Sequence, residues 1–240
     1  MLFDLKGRRR RVVQGTYLTL AVLMGAGLVL FGIGSRTNGG LGDLFGGGGG
    51  SNKGNDVVQK KIDTAEKQLQ VNPRNVTALG DVIRGHYQLA STNADPNTGV
   101  FSKDARDDLQ QAADTWQRYL ATKPKKIDLG LGRVMVQAYS GLAQLSSASQ
   151  ASATRYWGGA SEASELIAGQ QQNAANYIAL VQYATLAGQT NKADLAGQKA
   201  LSLAPKGQRK TVQQQVAQAK SAGSSQAGGG TSPAPSGTAP

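Results

Sequence analysis

Apolar residues recur at intervals of three or four positions between residues 56 and 221. This spacing places them on one face of an α-helix, whereas a half-buried strand would alternate apolar and polar residues. No stretch of the chain sustains that alternation, so the sequence predicts an all-helical domain. Turn residues at 72–75, a loop at 91–102 and two prolines, Pro124 and Pro205, interrupt the helical pattern. The apolar positions that define the predicted helices are Ala65, Leu69 and Val71; Val76, Leu79, Val82, Ile83 and Leu89; Leu109, Ala112, Ala113, Trp116, Tyr119 and Leu120; Leu129, Leu131, Val134, Met135, Ala138 and Leu142; and Tyr156, Ala163, Leu166 and Ile167.

The N-terminal part follows a different pattern, since residues 12–35 contain no charge. As a helix they would extend about 36 Å, enough to cross a hydrocarbon core of about 30 Å. The basic residues in segment 1–11 favour the cytoplasmic side, which predicts a single transmembrane helix with the C-terminal domain outside. The alternative is a signal peptide cleaved near Gly32-Ile33-Gly34 and a secreted protein. Ala21 and Gly25 would permit helix pairing, so homo-oligomerisation stays open.

Two segments of low complexity flank the predicted domain. Residues 36–55 are rich in glycine and are expected to act as a flexible tether between membrane and domain. Residues 222–240 contain Gly, Ser, Thr, Pro and Ala without any charge, and such a composition predicts a disordered tail. The expected organisation is therefore a cytoplasmic N-terminus (1–11), a membrane span (12–35), a linker (36–55), a helical domain (56–221) and a tail (222–240).

The charge distribution argues against a nucleic-acid partner. The formal net charge is +11, but the only dense basic cluster adjoins the apolar segment, and residues 56–221 hold nineteen basic and thirteen acidic side chains. Nucleic-acid binders concentrate Lys and Arg along one element, with aromatic residues between them. The chain has no cysteine, which excludes disulfides and thiolate metal sites.

Three helical stretches end in apolar residues followed by a proline, and the best-formed unit spans residues 173–206, thirty-four positions long. It resembles the tetratricopeptide repeat (TPR), a helical hairpin with an aromatic residue and a leucine on the first helix, small residues on the second and a closing proline. The matching residues of this chain are Tyr177, Leu180, Gly188, Ala193, Ala200 and Pro205.

The resemblance covers residues 56–206 and departs from the repeat at several positions. Val181 stands where the family prefers a small residue, and Ala184 and Gly197 replace aromatic residues. The other units are matched through proline spacing alone. The resemblance implies an array of helical hairpins wound into a right-handed superhelix, with residues 207–221 as a polar capping helix.

No pattern in the sequence points to catalysis, a cofactor or a metal. His86 is the only histidine and is interpreted as a side chain at the edge of the core. Asp104, Asp107 and Asp108 are interpreted as favourable charges at a helix N-terminus. The glycine runs lack the strand and the Gly-Lys-Ser/Thr sequence of a phosphate-binding loop. The protein is therefore predicted not to be an enzyme.

A TPR array implies a scaffold that binds a protein or peptide in a groove lined by the first helix of each hairpin. Those helices are predicted at 76–90, 128–145 and 174–187, with Arg84, Tyr87, Tyr139 and Gln182 facing the partner. The resulting hypothesis is a membrane-tethered extracytoplasmic scaffold in protein translocation or envelope assembly. The alternative is a structural protein of the cell envelope that associates with wall polysaccharide.

Overall fold

The computed structural model describes residues 51–227, and within them it contains eight α-helices, two short 3₁₀ turns and no strand. The all-helical class predicted from the periodicity is confirmed. One antiparallel bridge, between Ala94 and Phe101, closes the loop after the second helix. Among the helices of this range, none is long and apolar enough to cross a membrane. The helices are α1 (Ser51–Val71), α2 (Val76–Thr92), α3 (Arg106–Ala121), α4 (Leu129–Leu145), α5 (Gln150–Gln170), α6 (Ala174–Leu186), α7 (Thr190–Leu203) and α8 (Arg209–Ala227).

Three alternate helices begin in the same way, at an Asn or Asp residue. Asn75, Asp128 and Asn173 precede α2, α4 and α6, and each side chain accepts a hydrogen bond from a backbone N–H of the first turn. The first four N–H groups of a helix have no partner within it, so such a cap stabilises the helix by about 1 kcal/mol. Helix α5 also begins at a capping residue, Ser149, whose hydroxyl accepts from the N–H of Ser152.

Helices that follow one another in the chain pack together as hairpins. The connection between α6 and α7 has three residues, and Gly188 there adopts a φ of +70°, a conformation that glycine reaches without steric cost. Helix α2 also packs beside α4, and α6 beside α8, while Tyr183 of α6 lies next to Ser140 of α4. These contacts place α2, α4, α6 and α8 in one layer.

Polar contacts connect α3, α5 and α7 in a second layer. Gln110 of α3 donates a hydrogen bond to the hydroxyl of Tyr156 on α5 at 3.3 Å. Lys192 of α7 forms an ion pair with Glu165 of α5 at 2.6 Å. The core lies between the two layers, where the largest fully buried side chains are Trp116, Ile62, Leu79, Ile83, Leu109, Leu131, Met135, Leu142 and Val181.

Several boundaries differ from those expected. Helix α1 begins at Ser51 and therefore includes the last five residues of the predicted linker. Val71, expected in the apolar stripe, is 88% exposed, because it follows the buried Leu69 by two positions and so points to the opposite side of α1. Helix α8 continues to Ala227, six residues beyond the predicted end of the domain.

The predicted N-terminal segment 1–11, the membrane span 12–35 with its Ala21 and Gly25 pair, most of the linker and the end of the tail lie outside the described residues. They remain predictions.

Candidate functional site

Helices α2, α4 and α6 lie in one layer, and each has residues that are not fully buried. The row on α4 is the clearest, because the rest of the helix is surrounded by α2, α3 and α5. We name this surface the α2–α4–α6 face. Its residues follow one another at helical spacing: Asp81, Arg84 and Gln88 on α2; Arg133, Gln137 and Gln144 on α4; and Ala175, Ala179 and Gln182 on α6.

The α2–α4–α6 face is nearly uncharged along two of its three helices. Helix α6 contains no charged residue, and Arg133 is the only one in α4. The guanidinium of Arg133 donates to Oε1 of Gln171 at 3.2 Å, a neutral partner next to the start of α6. Because a guanidinium carries five N–H donors, Arg133 keeps capacity to bind a carboxylate or carbonyl of another molecule.

Arg84, predicted to contact a partner, already has carboxylate partners within the chain. Its guanidinium pairs with Asp128 and lies 3.7 Å from Asp81. One oxygen of Asp128 caps α4 by accepting from the N–H of Leu131, while the other accepts from Arg84. Arg84 thus ties α2 to the first turn of α4, and its charge is balanced there.

Tyr139 is not available at the surface, contrary to the expectation from its helical position. Its side chain is 6% exposed, and its hydroxyl accepts a hydrogen bond from Gln117 at 3.0 Å. The ring packs on Gly159 of α5, where a Cβ atom would come within 2.7 Å of ring carbons. Burial raises the pKa of Tyr139, and the hydrogen bond from Gln117 opposes that rise. Tyr139 therefore belongs to the contact between α4 and α5.

Tyr87 and Gln182 have different surroundings. The ring of Tyr87 meets Phe101 edge to face, with centroids 6.1 Å apart, and burial raises the pKa of its hydroxyl. Its contacts hold the loop after α2 against the helix. Gln182 is half-buried in the row of α6 and is the one predicted partner residue that remains on the α2–α4–α6 face without a structural role of its own.

The residues that carried the repeat resemblance pack in the hairpin formed by α6 and α7. Leu180, Ala193 and Ala200 are buried in one apolar cluster, and Tyr177 packs against its edge. Helix α7 ends at Leu203, and Pro205 follows the C-cap residue Ala204. The small side chains on α7 permit its close approach to α6 and α8.

The only histidine joins two helices. Nδ1 of His86 on α2 lies 2.8 Å from Oδ1 of Asp108 on α3, and both side chains are partly exposed. Among the described residues, no group of three His, Asp or Glu side chains is arranged to hold a metal ion. The ring of Trp116 stacks on Tyr119 in the core, and Trp157 stacks on Tyr183. These contacts support a structural role for both tryptophans.

The structure also shows polar contacts that the sequence did not suggest. The side-chain amide of Gln170 forms two hydrogen bonds with the backbone of Ile127. Its Oε1 accepts from the N–H of Ile127 at 2.9 Å, and its Nε2 donates to the carbonyl of Ile127 at 2.8 Å. Arg106 donates to the carbonyl of Leu145 and thereby satisfies the end of α4. A solitary glutamine such as Gln170 offers no sequence signal for such contacts.

No protein-family model matches the chain, and neither a curated protein nor a solved structure shows significant similarity to it.

Proposed function

We propose that residues 56–221 form a TPR-like scaffold that binds a protein or peptide on the α2–α4–α6 face. In this proposal the right-handed superhelix of such arrays brings the three helices to a concave surface. Residues 12–35 anchor the scaffold in a membrane, with the domain on the extracytoplasmic side. The role is binding, in translocation or envelope assembly, and involves no catalysis.

The hairpin plan supports the proposal. The capped helices α2, α4 and α6 are each followed by a second helix packed against them, and α2 lies beside α4 as equivalent first helices do in a repeat array. Helix α8 packs beside α6 in the same way and buries one side only, as a terminal capping helix would.

The nature of the α2–α4–α6 face is the observation that carries the proposal. Its rows on α4 and α6 combine small residues, amides and one arginine, with no carboxylate. Small side chains let a partner backbone approach, and amides supply both donors and acceptors for its peptide groups. Arg133 adds one site for a carboxylate or carbonyl. We therefore expect a segment of protein with few basic residues.

The test combines crosslinking with a substitution that blocks the face. A photoreactive residue at Gln182 is expected to capture a protein in membranes, whereas one at the exposed Gln111 of α3, in the second layer, is not. Ala175→Glu introduces a bulky charge on the face and should abolish the crosslink.

Ala151→Glu is the matched control for the substitution. Ala151 and Ala175 are both exposed, and both are the second residue of their helix, where an acidic side chain interacts favourably with the helix dipole. The two variants should melt alike. If both Ala175→Glu and Ala151→Glu lose the crosslinked protein, or if both keep it, the α2–α4–α6 face is not the binding surface.

A further inference from the structure

The two ends of the helical stack differ in charge. Consecutive helices pack as hairpins, so every second connection lies at the same end. We define the basic end as residues 72–75, 122–128, 171–173 and 204–210. The opposite end consists of the connections 93–105, 146–149 and 187–189.

Contacts between the connections confirm that they meet. Ile127 and Gln170 exchange two hydrogen bonds, which holds the α3–α4 connection beside the end of α5. One buried cluster contains Ala168 near the end of α5 together with Ala204 and Val212. The α7–α8 connection therefore lies near the end of α5 as well. Three segments of the basic end thus lie together, and the hairpin order places the α1–α2 turn, residues 72–75, at the same end of the stack.

The basic end carries seven cationic residues and one carboxylate. Lys123, Lys125 and Lys126 all lie in the α3–α4 connection, and all three are exposed. The carboxylate is Asp128, which is engaged by Arg84. The connections of the opposite end hold one cation and two carboxylates.

The remaining cations are Arg74, Lys206, Arg209 and Lys210, which are exposed. Among the ion pairs of residues 51–227, none involves a cation of the basic end.

Helix stability accounts for only part of this charge, because Arg74, Lys123 and Lys206 follow helix C-termini whereas Arg209 and Lys210 lie at a helix N-terminus. Cations are favourable at the C-terminus of a helix, which would suit Lys123, but unfavourable at the N-terminus. Arg209 and Lys210 open α8, and neither can be explained in this way. Lys123 has a φ of 53°, a left-handed conformation in which glycine is preferred, so it too stands at a position of some steric cost.

Exposed apolar side chains lie among the cations. Val71 and Val76, on either side of Arg74, are 88% and 39% exposed. Cations together with exposed apolar residues suit the interface of an anionic bilayer, which attracts Lys and Arg and receives short apolar side chains. The segments of the basic end contain no aromatic residue to stack on nucleic-acid bases.

We propose that the basic end docks on a membrane surface that contains anionic phospholipid headgroups. The docking is electrostatic, with Val71 and Val76 at the level of the headgroups. It does not depend on the binding of a protein to the α2–α4–α6 face, because the two surfaces use different residues.

The experiment measures the distance of each end from the bilayer in the full-length chain. The chain has no cysteine, so Gln208→Cys labels the basic end and Ser147→Cys the opposite end with a fluorescent donor. Each protein is reconstituted into liposomes that contain acceptor-labelled lipid, either zwitterionic or with about 30% phosphatidylglycerol. Energy transfer from position 208 should rise with the anionic lipid and fall again in about 0.5 M salt, while transfer from position 147 should not rise.

A charge variant separates docking from mere proximity. The triple substitution K206Q/R209Q/K210Q should lower the docked-to-free ratio on the order of a hundredfold, at about fivefold per cation. The matched control K60Q/K61Q/K103Q removes the same charge from exposed positions outside the basic end and should change little. Lys123→Gly removes one cation and relieves the left-handed backbone, so it should weaken docking while raising the melting temperature.

Equal transfer in both lipids, an equal rise at positions 147 and 208, or an equal effect of the two triple variants would overturn the proposal. A duplex DNA that binds the full-length chain through residues 206, 209 and 210, without lipid-dependent transfer, would assign the basic end to nucleic acid instead.

Discussion

The outermost helices and the central helix α4 are built on different principles. Helix α1 buries Val58, Ile62, Ala65 and Leu69, and α8 buries residues at the same 4-3-4 spacing. Each of these helices has one apolar stripe and is polar elsewhere. Helix α4 is buried on nearly all sides, and only a few positions such as Arg133 and Gln137 remain partly exposed.

The difference shows why glycine and alanine are frequent in the middle of the chain. A helix with neighbours on several sides needs short side chains wherever another helix approaches. Gly132 of α4 faces Ile167, and Gly141 faces Phe101 and Leu109. An outer helix can keep long polar side chains because only one side is in contact. Stability should therefore be concentrated in α4 and its neighbours.

The largest effect expected from this comparison concerns two leucines. Leu131→Ala in α4 should lower the free energy of unfolding by about 3–5 kcal/mol, since Leu131 is fully buried and its surroundings cannot collapse. Leu69→Ala in α1 should cost about 2 kcal/mol, because an outer helix can shift to fill the space. Chemical denaturation of both variants measures these values.

Hydrogen exchange of the same two variants shows which helices each substitution destabilises. Leu69→Ala should accelerate exchange in α1 alone, whereas Leu131→Ala should accelerate it from α2 to α7. If the two variants lose the same free energy of unfolding and accelerate hydrogen exchange in the same helices, the stack unfolds as one cooperative unit, and centre and edge do not differ.

The second prediction uses two glycines of α5. Gly159→Ala would place a Cβ atom 2.7 Å from the ring of Tyr139, so we expect a loss of about 1–3 kcal/mol. Gly169 has no atom within 4 Å of the added Cβ, so Gly169→Ala should stabilise the protein by up to about 1 kcal/mol. Thermal melting of the two variants should therefore shift in opposite directions. A stabilising Gly159→Ala would contradict the close contact between α4 and α5.

Much of the fold was predictable, because periodicity depends on local sequence. The helix boundaries near Pro73, Pro124 and Pro205 follow from the inability of proline to continue a helix, and the turn at Gly188 from the ease with which glycine adopts the positive φ found there. The start of α1 at Ser51 was missed because its composition, with Gly54, is typical of a flexible linker. Helical structure there follows from continuity with the amphipathic part of α1.

The candidate surface was less predictable than the fold. Gln182 was predicted to face the groove and is half-buried on α6, but Tyr139 is buried although it is polar and on the expected helix. Its direction depends on Gly159 and Gln117, which are twenty or more positions away in the chain. A sequence pattern reports which side of a helix is apolar, but does not report which neighbour has a glycine to receive a large ring.

The third prediction concerns alkaline pH and tyrosines of the inner helices. Burial raises the pKa of Tyr139 and of Tyr183 above the ordinary value of 10.0. The folded protein then retains these protons while the unfolded chain loses them, so the stability is complete below pH 10 and decreases as pH rises beyond it. The melting temperature should therefore decrease above pH 10.

The double substitution Tyr139→Phe and Tyr183→Phe isolates this contribution. Lysines also lose protons in that range, but they do so in both proteins. The variant should lose stability less steeply than the original chain above pH 10, and the two should run parallel from pH 7 to 9. Parallel curves over the whole range would mean that the two hydroxyls are solvated in the folded protein.

The smallest effect should come from the ion pairs that tie neighbouring helices. Lys220 of α8 lies 2.5 Å from Asp194 of α7, and both side chains are substantially exposed. An exposed pair contributes at most about 1 kcal/mol, and salt screens it. In a double-mutant cycle with alanine at both positions, we expect a coupling energy below that value at low salt and close to zero at high salt.

If α8 is held instead by Val212 and Val216, its hydrogen exchange should stay nearly unchanged when the ion pair is removed, whereas Val216→Ala should accelerate it. If removal of the ion pair accelerates exchange in α8 and Val216→Ala does not, this outer helix is held by its charged side chains. The contrast with α4 would then lie in the kind of interaction as well as in the extent of burial.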